Sequence, residues 1–484
     1  MFRSVPYALL LVVGWWSASS WADDPFLKCV DRLAAPDGST SAFDRLPDAR
    51  YTCMRLKSDR HVLVAEAGDK SLPAVLLVHG LGNNAHRDWR ATVPVLAAKF
   101  HVVLLDLPGF GASEALAQGY SFPDLAAALQ EVTARLELKR FHLVGHSLGG
   151  AVSLYFAQQH PQLIDRLVLV DAAGILVKPV FVRYLLEANV AAYGMGTLDS
   201  VMGVLGQAVP GGTEGLLDLL EDQRGMGRYL VDNPGIRGAL FGNQMIADAA
   251  LGLVEHDFTT AIRDVRLPTT IIWGSDDPVT PLRTGKMLAA RMPDATLSVI
   301  ADAQHMPMNQ RPAAFNPVLL RALTDPPRAK QPAPPVPTSQ GDVRCIDQAQ
   351  MRYTGSFDTI TLEGCTNARI ENAWVKQVIA ARSSLSLDNV ALASSGIALQ
   401  VKESNVKATG GSIAGRIAVR ADASRLDLAG ISLRAREKGV EVERPSRIYF
   451  SVSDYDAPDY RGTAHFVWPP MQTKPGQTKP VPTK

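Results

Sequence analysis

The ten residues Phe141–Gly150, FHLVGHSLGG, constrain the fold of this chain more than any other stretch. An apolar run ends in Gly145-x-Ser147-x-Gly149, and an Ala-rich helical stretch follows from Ala151. A strand that turns so abruptly into a helix makes a sharp, strained corner and lifts the serine hydroxyl clear of the sheet. Glycine suits both flanks because a Cβ at either position would collide across the turn. The pentapeptide alone arises by chance in many chains. Its position between a strand and a helix gives it weight.

The surroundings fit that corner. From about residue 61 to 324, strand-like runs alternate with helical stretches. The runs are Ala74–Val78, Phe100–Leu105, Arg140–Val144, Arg166–Val170, Thr269–Trp273 and Thr296–Ile300. They are rich in Val, Leu and Ile without strict alternation, as expected for strands covered on both faces. The pattern predicts an α/β parallel sheet. The gap between Ala173 and Leu267 is too long for a simple crossover and reads as an inserted helical cap, about 174–266, after the sixth strand. Its apolar positions are led by Phe181, Leu185, Leu186, Met195, Met202, Leu205, Leu216 and Leu219. Most form the cap's own core, and some are expected to line a pocket over Ser147.

A chain of 484 residues is too long for one ordinary domain. Lys plus Arg total 49 against 48 for Asp plus Glu, so no basic excess points to nucleic acid or a membrane surface. Residues 1–22 read as an export signal, with Arg3, the apolar run Tyr7 to Trp16 and a Ser20-Trp21-Ala22 cleavage site. Cleavage after Ala22 and a periplasmic or secreted location are expected, with a retained N-terminal anchor as the alternative. Residues 23–60 form an N-terminal segment without assigned structure. In an oxidising compartment, the spacing of the four cysteines suggests two local disulfides, Cys29 with Cys53 and Cys345 with Cys365.

Residues 325–342 are a Pro-rich, semi-rigid linker. Beyond it, Leu385-x-Leu387-Asp-Asn-Val-Ala-Leu392 is echoed at Val406–Ile413 and Leu426–Leu433, with a second strand set at Val378, Ile397, Ile417 and Val440. A period of roughly twenty residues belongs to solenoids. Residues 343–468 are therefore expected to form a short parallel β-helix, with a small β-sandwich as the alternative. The broad faces of such a domain suit a glycan or protein contact. The tail 469–484 repeats Thr-Lys-Pro and is expected to be disordered.

Hydrolysis of an ester or amide needs a nucleophile, a base, a group that orients the base, and an oxyanion hole. Ser147 is the candidate nucleophile. His305 is the candidate base, in a loop after the last strand-like run. His79 and His146 belong to other motifs, and His61, His101, His142 and His160 lie on or beside scaffold elements. His256 is the internal rival, and His465 would require the C-terminal domain to fold back. Asp277 is the candidate orienting acid, with Asp276 and Asp171 as alternatives. Backbone N–H groups of Leu148 and of Leu81, or Gly82 in its place, are the candidate oxyanion donors. No Cys/His cluster implies a metal, and the chemistry implies no cofactor.

These residues resemble the α/β-hydrolase superfamily in its cap-bearing branch of esterases and lipases. The matching pieces are His79-Gly-Leu-Gly82 with Trp89, Asp106-Leu-Pro-Gly-Phe-Gly111, Gly145-His-Ser-Leu-Gly149, Gly274-x-x-Asp277-x-x-x-Pro281, and His305 with Pro312. They span about residues 61–324. The resemblance implies an α/β-hydrolase fold with a helical cap, a structural Asp106, and a Ser-His-Asp serine hydrolase acting on a small-molecule ester or lipid-like substrate through an acyl-enzyme. Serine at the elbow separates the chain from haloalkane dehalogenases and epoxide hydrolases, which carry aspartate there. Gln304 and Gln310 depart from the residues common in relatives. C–C hydrolase, haloperoxidase-like and peptidase chemistries share the scaffold. A surface binding or assembly protein working through its repeat is the reading from a different class.

Overall fold

The computed structural model describes Leu46 and residues 48–82, 85–116, 120–180, 249, 252–253, 256–326 and 336–468. The export segment, Cys29, the cap positions from Phe181 to Leu219 and the tail 469–484 lie outside the described residues.

Eight strands form the first sheet: β1 (Arg50–Arg55), β2 (His61–Ala67), β3 (Ala74–Val78), β4 (His101–Leu105), β5 (Phe141–His146), β6 (Ile164–Val170), β7 (Thr269–Gly274) and β8 (Ala295–Ile300). Their order is β1-β2-β4-β3-β5-β6-β7-β8. The six runs legible in the sequence are β3 to β8, which pair in parallel. The sheet is mixed rather than wholly parallel, because β1 and β2 add antiparallel strands at one edge. It therefore begins within the segment that the sequence left unassigned.

The physical reason for the miss is local. β1 is an edge strand whose side chains are all half-buried or exposed, so it carries no apolar run. β2 is almost wholly buried but contains Glu66, whose carboxylate meets Lys70 and His101.

Helix α1 (Phe122–Arg135) starts on a capping box, with Asp124 N–H donating to the Ser121 hydroxyl and Ser121 N–H to the Asp124 carboxylate. It packs its buried Leu125, Leu129 and Val132 into the same core as α2 (Leu148–Gln159). Among the described residues, no helix is long and apolar enough to cross a membrane.

The C-terminal part is all-β. Its long strands are β10 (Arg352–Glu363), β11 (Ala368–Ala381), β12 (Ser384–Ala393), β13 (Ile397–Lys402), β14 (Asn405–Asp422) and β15 (Ser432–Val442), preceded by β9 (Val343–Ile346). Ile360 pairs with Val378, Val378 with Leu399, Leu399 with Val419 and Val419 with Val440, always in parallel. A second ladder runs through Leu385, Val406, Leu426 and Ile448. Like side chains thus stack on successive turns, and the repeat buries a continuous core. Cys345 and Cys365 are bonded at its start. Cys53 is also disulfide-bonded. At the far end, Tyr460–Ala464 and Val467–Trp468 pair antiparallel with their neighbours.

The two parts are not loosely tethered. Helix α3 (Leu282–Arg291) directly follows the Asp277 loop and lies against the C-terminal strands. Arg283 pairs with Asp427 and donates to Thr409, Lys286 pairs with Asp388, and Arg291 pairs with Asp454. Met287 sits so close to Gly430 that a Cβ there would come within 2.8 Å of it. Ala429, Tyr449 and Val452 belong to the hydrolase-side core.

The Arg283–Asp427 pair is largely buried, and removing one partner of such a pair typically costs about 3–5 kcal/mol. Asp427→Ala is therefore expected to lower unfolding stability by about 3 kcal/mol in denaturant titration. The full chain is expected to melt in one calorimetric transition, whereas two independent transitions would contradict the shared core.

Candidate active site

β5 ends at His146 and α2 starts at Leu148, so Ser147 alone makes the corner. Its backbone sits at φ 51° and ψ −116°, a conformation that costs a non-glycine residue on the order of 1–3 kcal/mol. The packing that imposes it is explicit. A Cβ on Gly145 would lie 2.2 Å from the Gly149 carbonyl oxygen, and one on Gly149 would lie 2.4 Å from that of His79. Ser147 N–H donates to Val170 O at 2.9 Å, and Ser147 O accepts from Ala173 N–H at 3.2 Å, tying the turn to β6.

The three residues singled out from sequence come together. His305 Nε2 is 2.9 Å from Ser147 Oγ, and His305 Nδ1 is 2.8 Å from Asp277 Oδ2. All three are buried. Asp277 Oδ1 accepts from the N–H groups of Val279 and Thr280 at 2.8 and 2.9 Å, and the Thr280 hydroxyl donates to Oδ2 at 2.6 Å. Burial pushes the Asp277 carboxyl up, but His305 and these donors outweigh it and hold the pKa below its ordinary value. The ionised carboxylate favours a proton on His305 Nδ1 and leaves Nε2 to accept from Ser147.

Sequence reading missed Thr280, although its place three residues after Asp277 suits a turn that closes on the carboxylate. It also missed the brace behind the site. His146 Nε2 donates to His305 O at 2.7 Å, and its Nδ1 lies 3.7 Å from Asp88 Oδ2. Asp88 also accepts from Gly80 N–H at 3.2 Å. The neighbour of the nucleophile thus holds the base loop, and Asp88 joins it to the loop after β3.

In that loop, a Cβ on Gly80 would lie 3.2 Å from Ser147 Cβ, which sets Leu81 one residue from the nucleophile's flank. Leu148 opens α2, so its N–H has no acceptor within the helix. His79 accepts from Leu107 N–H at Nε2 and donates from Nδ1 to Gly80 O, and burial lowers its pKa. Asp106 accepts from the backbone of His86 and Ala112 and serves the scaffold, as the resemblance implied.

The rivals lie elsewhere. His256 packs among Phe122, Tyr155 and Phe258. His465 accepts from Val452 N–H, and Asp276 is exposed. Asp171, weighed as an alternative acid, is buried beside Asp277. Its Oδ1 accepts from Gly274 N–H at 2.9 Å, while Oδ2 has no hydrogen-bond partner. Burial, then the charge of Asp277, pushes its carboxyl well above the usual range. Two adjacent buried carboxyls cannot both ionise cheaply; here Asp277 carries the charge and Asp171 the proton.

Asp277→Asn is expected to cut turnover by about 10⁴-fold because it favours the wrong imidazole tautomer. Asp171→Asn keeps a neutral group and is expected to retain turnover. The native Asp171 binds its proton more tightly than the unfolded chain does. Its contribution to stability is full below about 3.8 and is lost as pH rises through the raised pKa. Melting curves of Asp171→Asn should lack that decline.

Comparison with known proteins identifies the family of the fold. A family profile described as the alpha/beta hydrolase fold matches residues 73–312. An uncharacterized protein of Mycobacterium tuberculosis is 32% identical over 311 residues, covering 62% of this chain and 86% of that protein. A 2-hydroxy-6-oxo-6-phenylhexa-2,4-dienoate hydrolase of Burkholderia cepacia is 28% identical over 265 residues, covering 52% of this chain and 88% of the relative. The crystal structure of a hydrolase from Pseudomonas aeruginosa PA01 covers 58% of this chain and 100% of its own, at 24% identity and a TM-score of 0.43. The chain belongs to the α/β-hydrolase superfamily.

Proposed function

We propose that this protein is a serine hydrolase that cleaves a carboxylic ester with an apolar acyl group. The observation that carries the reading is the buried line from Asp277 through His305 to Ser147, with hydrogen bonds of 2.8 and 2.9 Å. A serine hydroxyl is a poor nucleophile at neutral pH and needs an adjacent base. His305 Nε2 takes the Ser147 proton as Oγ attacks the ester carbonyl. Asp277 stabilises the imidazolium that forms. The N–H groups of Leu148 and Leu81 receive the developing oxyanion. His305 then returns the proton to the leaving alcohol, and water, activated by the same imidazole, releases the acid from the acyl-enzyme. Each proton transfer uses His305, within hydrogen-bond reach of Ser147 Oγ, which supports acyl transfer.

The apolar preference draws on the roots of the insertion between β6 and β7. Ile175, Leu176 and Val177 lead into it and Leu253 leads out, all buried and apolar. We also place the protein in the periplasm or outside the cell. The Arg3-led apolar start and the disulfide between Cys345 and Cys365 support that location. We read the C-terminal domain as a short parallel β-helix, on the strength of its stacked parallel ladders.

A second reading, hydrolysis of a C–C bond in a vinylogous diketone, draws on the name of the Burkholderia cepacia relative. The two separate in one experiment. Purified protein is expected to hydrolyse p-nitrophenyl esters with a preference across the acyl-length series. A fluorophosphonate should label Ser147, and Ser147→Ala should abolish both signals. Turnover of a 2-hydroxy-6-oxo-dienoate with no turnover of any ester would replace the first reading with the second. Failure of both substrates and of labelling would remove both.

A further inference from the structure

The chemistry at Ser147 draws on two loops from distant parts of the chain. The candidate oxyanion donor Leu81 stands on the loop after β3, and the base His305 on the loop after β8. Behind them lie two buried ionisable side chains that take no part in the proton transfers. Asp88, on the short helical turn Ala85–Trp89, is 5% exposed, and His146, at the end of β5, is 3% exposed.

Their contacts reach both loops. Asp88 Oδ2 accepts from Gly80 N–H at 3.2 Å, and Gly80 O accepts from His79 Nδ1 at 2.7 Å, so both polar groups of Gly80 are held. A peptide unit is planar and trans. A Gly80 carbonyl fixed toward His79 therefore aims the next N–H, that of Leu81, the opposite way. On the other side, His146 Nε2 donates to His305 O at 2.7 Å. Its Nδ1 has no hydrogen-bond partner among the described residues and faces Asp88 Oδ2 at 3.7 Å. The ring has little room to move: a Cβ on Gly80 would lie 2.7 Å from Nδ1, and the Trp89 ring meets it edge-on. Burial pushes the Asp88 carboxyl up, but His146, then His79 and the Gly80 N–H, outweigh it and hold the pKa below its ordinary value. Separating a buried charge from its partner is costly, so the carboxylate resists any motion that parts His146 from Gly80.

We propose that Asp88 and His146 are a positioning pair that fixes the oxyanion loop and the base loop to each other, so that Leu81 N–H and His305 Nε2 take their places around Ser147 as one unit. The inference rests on the serine-hydrolase reading of the site. Neither side chain hydrogen-bonds Ser147 Oγ, so the pair acts through Gly80 and through the His305 backbone. A packing role alone would cost stability and leave each folded site as fast as before. A positioning role acts on the rate of the folded site, because misplacing a catalytic group by about 1 Å costs on the order of 10²-fold.

The test uses the full chain, with working sites counted by fluorophosphonate titration. Asp88→Ala and His146→Ala should each lower kcat per titrated site on p-nitrophenyl esters by about tenfold or more, with KM within about twofold of native. Asp88→Asn still accepts from Gly80 N–H but lacks the charge, and should lose less than Asp88→Ala. The double alanine variant should lose far less than the product of the single losses, because both substitutions break one link. A second readout needs no substrate: the low-field proton signal of His305 Nδ1, identified by its absence in His305→Gln, should shift or broaden in both alanine variants. If neither ester nor fluorophosphonate reacts with the native protein, the enzymatic readings fail, and the His305 signal still decides the placement. Should Asp88→Ala not fold, Asp88→Asn supplies the comparison. Unchanged kcat per titrated site in folded variants, losses that multiply in the double variant, or an unaltered His305 signal would each overturn the proposal.

Discussion

Ser147 occupies a backbone conformation that its own side chain disfavours, and the surrounding sheet exists in part to hold it there. The restraint comes from two sides. Gly145 and Gly149 allow the strand and helix to approach within a distance that no Cβ would tolerate. The backbone hydrogen bonds to Val170 and Ala173 fasten the turn to β6. Strain of this kind persists only where neighbouring structure over-determines it. The hydroxyl is thereby held within hydrogen-bond reach of His305 Nε2.

The second constraint is electrostatic. Asp277 is surrounded by donors that want it ionised: Val279, Thr280 and His305. Asp171, next to it, has a single backbone donor and one bare oxygen. The same residue type is thus pushed in opposite directions a short distance apart: burial raises both carboxyls, the charge of His305 and the surrounding donors bring Asp277 below its ordinary value, and the charge of Asp277 pushes Asp171 further up. This asymmetry resolves a choice that chain order alone left open, since both aspartates follow a strand of the sheet.

What was legible in the sequence follows the range of the interactions. β3 to β7 are buried along most of their length and so appear as apolar runs, and β8, though only partly buried at the sheet edge, keeps Leu297, Val299 and Ile300. The parallel ladders of the C-terminal part appear as a period, because strands paired in register bury the same positions. The candidate site was readable because Ser147, Asp277 and His305 each follow a strand of the sheet in a fixed order. β1 was not, since its sequence Arg-Tyr-Thr-Cys-Met-Arg carries no such run. Thr280, Asp88 and the contact of His146 with the His305 carbonyl depend on loops meeting in space, and nothing in their own neighbourhood announces it. The docking of α3 was equally hidden. Asp388, Asp427 and Asp454 fall at outward positions of the repeat, where acids look like ordinary solvent-facing residues until Lys286, Arg283 and Arg291 are set against them.

That docking also bears on the order in which the molecule can be completed. A chain is made from its N-terminus at about 5–20 residues per second. Helix α3, with Met287 and its three cations, therefore emerges on the order of ten seconds before the last of the acids that cover it. Throughout that interval the loop bearing Asp277 leads into a helix without its counterpart. Completion of the hydrolase core waits on Tyr449 and Val452, close to the end of the described chain. A hydrolase fold arranged in this way is assembled late, and its core closes only when nearly the whole polypeptide is present.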